Sequence, residues 1–262
     1  MLDQPLKFTT PTLLNLIRRR GGEPHQTLSG IPTWYDAEAQ RILDQQVNAV
    51  LTEHGLMGPR GMDRDLISVV ESISRPQLEY YGWFEGEFEN RPKNFTVLAG
   101  SGSGGGFVLM RYINEDEVVV KHVRPELLLQ SFVDQIPLGR PGNGQPIVLS
   151  KSEFTSGRPA DDEGEVSIMR AAPGRGTPPS PIKEAQRILK APRTGAGSLY
   201  VASRTEAGTR RRSERPLNFI DTDEGRWLME ERPGRGDSLV VFTPATPQML
   251  GERLRNAQST LS

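Results

Sequence analysis

The stretch of this 262-residue chain that most invites a chemical reading is Gly100-Ser-Gly-Ser-Gly-Gly-Gly106, because glycine-rich loops cradle phosphates with their backbone N–H groups. Such a loop works by delivering the chain into a helix N-terminus. Here it runs into Phe107-Val-Leu-Met110, which has strand character, and no Lys-Ser or Lys-Thr closes it. A flexible hairpin tip is therefore predicted. Acidic clusters stand at Asp161-Asp-Glu163 and Asp221-Thr-Asp-Glu224. The first falls in a stretch that reads as loop, and the second lies between two strands, where Asp and Gly make ordinary turns. His25, His54 and His122 share no metal-ligand spacing and no cysteine joins them, so each reads as a surface or capping residue. His54, one before Gly55, suits the cation-favouring end of a helix. No Gly-x-Ser-x-Gly elbow supplies a hydrolytic nucleophile. Catalytic, metal and cofactor-binding residues are accordingly expected to be absent. One enzymatic alternative is kept, a phosphate or metal site on an unfamiliar α+β scaffold, built from Asp221, Asp223 and the glycine-rich loop.

Arg18-Arg-Arg20 and Arg210-Arg-Arg212 with Arg215 could contact phosphates, but Lys plus Arg is 32 against 33 for Asp plus Glu. Neither cluster has interleaved aromatics for base stacking. Solvated arginines are predicted, with no nucleic-acid partner. No apolar run approaches the roughly 18 residues that a membrane span needs, so no membrane insertion is expected. With no cysteine and no basic-then-apolar leader at the start, a cytoplasmic location is expected. What remains is surface for binding. Tyr80-Tyr-Gly-Trp-Phe84 and Gly225-Arg-Trp-Leu228 put aromatics on strands, some for the core and some for a contact face, and Glu85-Gly-Glu-Phe-Glu89 has the composition of a polar rim around an apolar contact.

The elements that must carry this surface follow from periodicity. Leu6 to Thr10 alternates as a short strand, and Thr10 before Pro11 predicts a helix N-cap. Further helices are predicted after Asp36 and Asp63, the latter with Leu66, Val69, Val70 and Ile73 at i, i+3, i+4 and i+7. Period-two, β-rich segments follow at 78–84, 94–99, 106–113 and 117–123, joined by short loops, which predicts an antiparallel meander. Gly106-Phe-Val-Leu-Met110, Glu117-Val-Val-Val120 and Pro125-Glu-Leu-Leu128 recur as Gly225-Arg-Trp-Leu-Met229, Ser238-Leu-Val-Val-Phe242 and Pro247-Gln-Met-Leu250. Strand, turn, strand, proline and helix in the same order read as a pseudo-duplicated fold. The predicted halves are 1–137 and 138–262, with a mobile loop at 155–181 that is too poor in apolar residues to offset the entropy of ordering.

Phe8-Thr-Thr-Pro with its helix, Leu51-Thr-Glu-His-Gly-Leu56, Arg75-Pro76 before the aromatic strand, and Asp221-Thr-Asp-Glu-Gly-Arg226 leading into the last strand and helix give the chain its resemblance to a known family. It resembles the EspG family of type VII (ESX) secretion-associated chaperones of actinobacteria, over nearly the whole chain except 155–181. The resemblance implies an α+β fold in which two pseudo-symmetric halves share a central antiparallel sheet flanked by helical bundles, forming a single globular domain. It implies a protein that is not an enzyme and needs no cofactor. Family members bind PE/PPE heterodimers in the cytosol, gripping the hydrophobic tip of the PPE partner and keeping it soluble until secretion. By position the contacts would fall at Glu85, Glu87, Phe88 and Arg91, at Arg204, and at Arg226 or Arg253 in the last helix. A homodimer is kept as a further assembly.

Overall fold

A computed structural model describes residues 4–28, 35–88, 91–156 and 180–261, with the side chains of 87, 88 and 91–93 outside that description. Of the loop expected at 155–181, residues 157–179 lie outside the described residues. Its ends are helical instead, because Thr155 and Ser156 complete one helix and Pro181 opens the next.

Strand β1 (Leu6–Thr9) passes directly into α1 (Thr10–Arg19). The cap is Thr9, one residue before the predicted Thr10, and its side-chain oxygen accepts the Thr12 N–H. Helices α2 (Ala37–Glu53) and α3 (Arg64–Ser74) start where predicted, with the Asp36 and Asp63 carboxylates each accepting two backbone N–H groups; such a cap is worth about 1 kcal/mol over alanine. A small hairpin, β2 (Met57–Gly58) and β3 (Gly61–Met62), lies between them. Next come β4 (Leu78–Phe88), β5 (Arg91–Gly102), β6 (Gly105–Tyr112), β7 (Glu117–Val123), a 3-10 turn at Pro125–Leu127 and α4 (Leu128–Val133). The rest of the chain forms β8 (Ile147–Ser150), α5 (Lys151–Ser156), α6 (Pro181–Lys190), β9 (Arg193–Arg204), β10 (Arg210–Arg212), β11 (Leu217–Thr222), β12 (Gly225–Arg232), β13 (Leu239–Pro244) and α7 (Pro247–Ser259).

Two compact units result. The first comprises Met1–Pro137, Gly197–Pro216 and Pro247–Ser262; the second comprises Leu138–Ala196 and Leu217–Thr246. The last helix and residues 197–216 therefore group with the N-terminal part of the chain.

In the first unit the strand order is β1-β7-β6-β5-β4-β9, with β10 beside β9. Side-chain alternation along these strands makes two faces. Tyr81, Leu98, Phe107, Leu109, Val118, Val120 and Ala202 point to α1 and α3 and form one core with Leu13, Leu16, Ile17, Leu66, Val70 and Ile73. Tyr80, Phe84, Phe95 and Val97 fall on the opposite face, where Tyr80 packs on Phe132 of α4, with ring centroids 6.0 Å apart, and its hydroxyl donates to Gln258 of α7. Both faces of the sheet are thus covered by helices.

In the second unit the order is β11-β12-β13-β8, all antiparallel. Ile147, Leu149, Ile182, Ala185, Ile188, Trp227, Val240 and Phe242 form its core, with α6 contributing one residue per turn. Ser150 and Glu153 make a reciprocal capping box at α5: the serine hydroxyl accepts the Glu153 N–H, and the Glu153 carboxylate accepts the Ser150 N–H.

The predicted repeat is present as structure. The run β1-β7-β6-β5 has its counterpart in β8-β13-β12-β11, and each outer strand leads straight into a capped helix. The hairpin turns differ by two residues, because β6 and β7 are last paired at Tyr112 and Glu117, whereas β12 and β13 close at Arg232 and Leu239. Each second strand is followed by a proline that opens a helix, Pro125 and Pro247. The fold is mixed α+β, dominated by antiparallel sheet, in agreement with the expectation.

Candidate partner-binding surface

The aromatic strand β4 sorts its residues by face. Tyr80 is buried under α4 and α7, and Phe84 is buried on the same face against Phe95, while Glu79, Tyr81, Trp83 and Glu85 alternate on the other side. On that second side Tyr81 stacks on Tyr200 of β9 at 5.1 Å, and Trp83 meets both rings edge-on at 5.6 Å. Tyr81 is fully buried, whereas Trp83 and Tyr200 are half-buried, so the cluster has a dry root and a partly open crown.

Arginines roof it. Arg210 lies over the Tyr81 ring at 5.5 Å and Arg212 over the Tyr200 ring at 5.3 Å, cation–π contacts that orient their guanidiniums across the sheet. Arg210 also pairs with Glu79, whose side chain is 3% exposed. Burial pushes the Glu79 carboxyl up against the pull of Arg210 and Arg204. His25 completes the group. Its Nδ1 accepts the Thr27 N–H, its ring packs edge-on against Tyr81 at 4.8 Å, and its Nε2 lies 3.8 Å from the Glu79 carboxylate. Desolvation, aided by Arg210, pulls its pKa down to about 3. The reading of His25 as a surface residue, and of Arg210 as solvated, is therefore corrected, whereas Arg212 is exposed as expected. Only the pairing of β10 with β9 reveals these roles, and Arg210 and Tyr81 are far apart in the chain.

The expected contact residues have separate fates. Glu85 is exposed on β4, and Glu87, Phe88 and Arg91 have side chains outside the described residues. Arg204 is half-buried, with Nε donating to the Pro76 carbonyl at 3.1 Å and Nη1 to the Gly208 carbonyl at 3.1 Å. Arg253 is half-buried on α7. Arg226 is fully buried and thus offers nothing to a partner. It forms a bidentate pair with Asp221, 2.7 Å on each arm, under the Phe219 ring at 4.2 Å. The resemblance places it among the partner contacts by position; arginine is rarely buried without a partner, and here the partner is five residues back.

The glycine-rich run is equally changed. It is a tight turn seated on α3 rather than a flexible tip: a Cβ on Gly104 would stand 2.1 Å from the Ser68 carbonyl oxygen, and Gly105 has a φ of 101°. The Gly104 N–H donates to Ser72 Oγ. The Gly104 N–H is thus committed to α3, and Gly100, Gly102, Gly105 and Gly106 belong to the β5–β6 ladder. Asp221 is taken up by Arg226, and among the described residues no group of three or more His, Asp or Glu could hold a metal ion. No helix among them is long and apolar enough to cross a membrane.

A family model described as the EspG family matches residues 13–256. No curated protein matches the chain. Among solved structures, the Mycobacterium tuberculosis type VII secretion system chaperone EspG5, in complex with the PE25-PPE41 dimer, is similar over 99% of this chain and 97% of that one, with a TM-score of 0.63 and 15% identity.

Proposed function

The chain belongs to the EspG family, and from that premise we propose that it is a cytosolic, non-enzymatic chaperone that binds a PE/PPE-type heterodimer at the hydrophobic PPE tip. It would keep the pair soluble and direct it to type VII secretion. The observation that carries this reading is the extent of the match, nearly the whole chain in both the family model and the fold of EspG5. Masking an apolar tip removes from water a surface worth about 25 cal/mol per Å², while charged rims select the partner.

The contact residues assigned to this role are Glu85, Glu87, Phe88 and Arg91 on the β4–β5 hairpin, Arg204 on β9 and Arg253 on α7. The half-open crown of Trp83, Tyr200 and Arg212 supports adding those three, since aromatic and arginine side chains are the groups that most often anchor interfaces. Co-expression with PE/PPE pairs followed by size exclusion tests the proposal. A stable ternary complex is expected; failure to co-elute with any such pair would sink it.

A further inference from the structure

We propose that the cavity beside Arg204 in the first unit receives a carboxylate carried on an acidic side chain of the protein partner. Arg204 and Arg210 stand directly opposite one another on β9 and β10, and like charges so placed repel. The buried Glu79 lies by both, paired with Arg210 and within the field of Arg204. One carboxylate cannot neutralise two guanidiniums. Arg204 has its Nε and Nη1 fixed by the Pro76 and Gly208 carbonyls, so its remaining edge is held in place with no partner among the described residues.

That residue lines a cavity of about 530 Å³ with Arg20, Arg75, Glu23, Glu71 and Gln77. Arg20 and Glu71 pair with each other. Arg75 is exposed and has no side-chain partner among the described residues, which leaves Arg75 and Arg204 opposed by Glu23. Guanidinium forks match carboxylates geometrically. The volume is several times what a bare ion fills, as suits a side chain entering from a polypeptide. Helices α1 and α3 end beside this cavity, and their carbonyl ends draw on the same positive charge. The site is therefore weak alone and acts on partner choice and association rate.

The inference deepens the chaperone reading and rests on it for the identity of the partner, but not for the chemistry of the cavity. The test is calorimetric titration of the full chain, at low ionic strength, with N-acetyl tri-glutamate amide and with the tri-glutamine peptide as control. Tri-glutamate is expected to bind wild type, the control not, and Arg75→Ala to weaken binding by about tenfold with an unchanged melting temperature. No binding to wild type, or equal affinity in Arg75→Ala, overturns the site. Sodium sulfate that displaces tri-glutamate at equal concentration would assign a free oxyanion instead and overturn the side-chain source. With a captured cargo pair, Arg75→Glu is expected to slow association; an unchanged rate overturns the proposal while leaving the chaperone reading intact. If wild type captures no cargo, that reading falls and the peptide titration still decides the cavity.

Discussion

The β5–β6 and β11–β12 hairpins fill the same position in opposite ways. In the first, Phe107 faces Gly100 across the ladder; in the second, Arg226 faces Asp221. Phe107 and Arg226 are both fully buried. Phe107 takes the room that glycine leaves, because a Cβ on Gly100 would stand 2.7 Å from its ring, and it joins the α1–α3 core. Arg226 needs more support. It requires the two arms of Asp221, the Phe219 ring, and Gly139, where a Cβ would come within 3.0 Å of the guanidinium. One backbone thus accepts an apolar plug or a buried ion pair, but the ion pair is stable only as a complete set, since desolvating either charge alone costs more than it returns.

The largest expected effect breaks that set. Asp221→Ala strands a buried guanidinium and should cost about 3–5 kcal/mol, measured by chemical denaturation. Asp221→Gly with Arg226→Phe copies the first hairpin into the second and should cost much less than the single change. A double variant as damaged as Asp221→Ala would mean that the two sites are not interchangeable.

A smaller effect separates the two turns. Gly104 rests on the Ser68 carbonyl, whereas the β11–β12 turn carries exposed Asp223 and half-buried Glu224. Gly104→Ala forces backbone against backbone and should cost about 1–3 kcal/mol. Asp223→Ala should stay within about 0.5 kcal/mol and leave cargo capture unaltered. An Asp223→Ala chain that loses a bound ion or an activity would revive the enzymatic alternative.

How far these differences were legible depends on the range of the contacts that cause them. Helix starts at Asp36 and Asp63 and the duplicated Gly-strand-turn-strand-Pro pattern rest on neighbours within a few residues, so sequence alone located them. The Arg226–Asp221 pair is legible in principle, since the two residues face each other across a tight turn, but the acidic run reads equally well as an ordinary turn and the resemblance assigns Arg226 to the partner. Glu79, His25 and Arg210 were not legible as a group, because three distant segments bring them together and none of the three is apolar. The seating of Gly104 on Ser68 was equally hidden. Glycine-rich sequence is the same for a mobile tip and for a turn pressed on a helix, and only the position of α3 separates them.

The two buried ionic clusters also differ in how they answer to pH. In the second unit Arg226 meets an aspartate, and that pair contains no histidine. In the first, His25 is held neutral beside Arg210 and Glu79, with its pKa down from 6.5 to about 3. Well above pH 6.5 the ring is neutral folded or unfolded and contributes no pH dependence. As pH falls below 6.5 the unfolded chain takes a proton that the folded chain refuses, so stability declines, by about 1.4 kcal/mol at pH 5.5. Glu79 acts in the opposite sense. Burial raises its pKa, so the folded chain protonates it first and gains stability as pH falls through that raised value. The His25 share is isolated by comparison with His25→Asn, whose amide oxygen can still accept the Thr27 N–H. Denaturation midpoints at pH 7.5 and 5.5 should draw together in this variant relative to wild type. An identical pH dependence in the two proteins would mean that His25 titrates freely, and that the first unit's cluster is open to water in a way the second unit's is not.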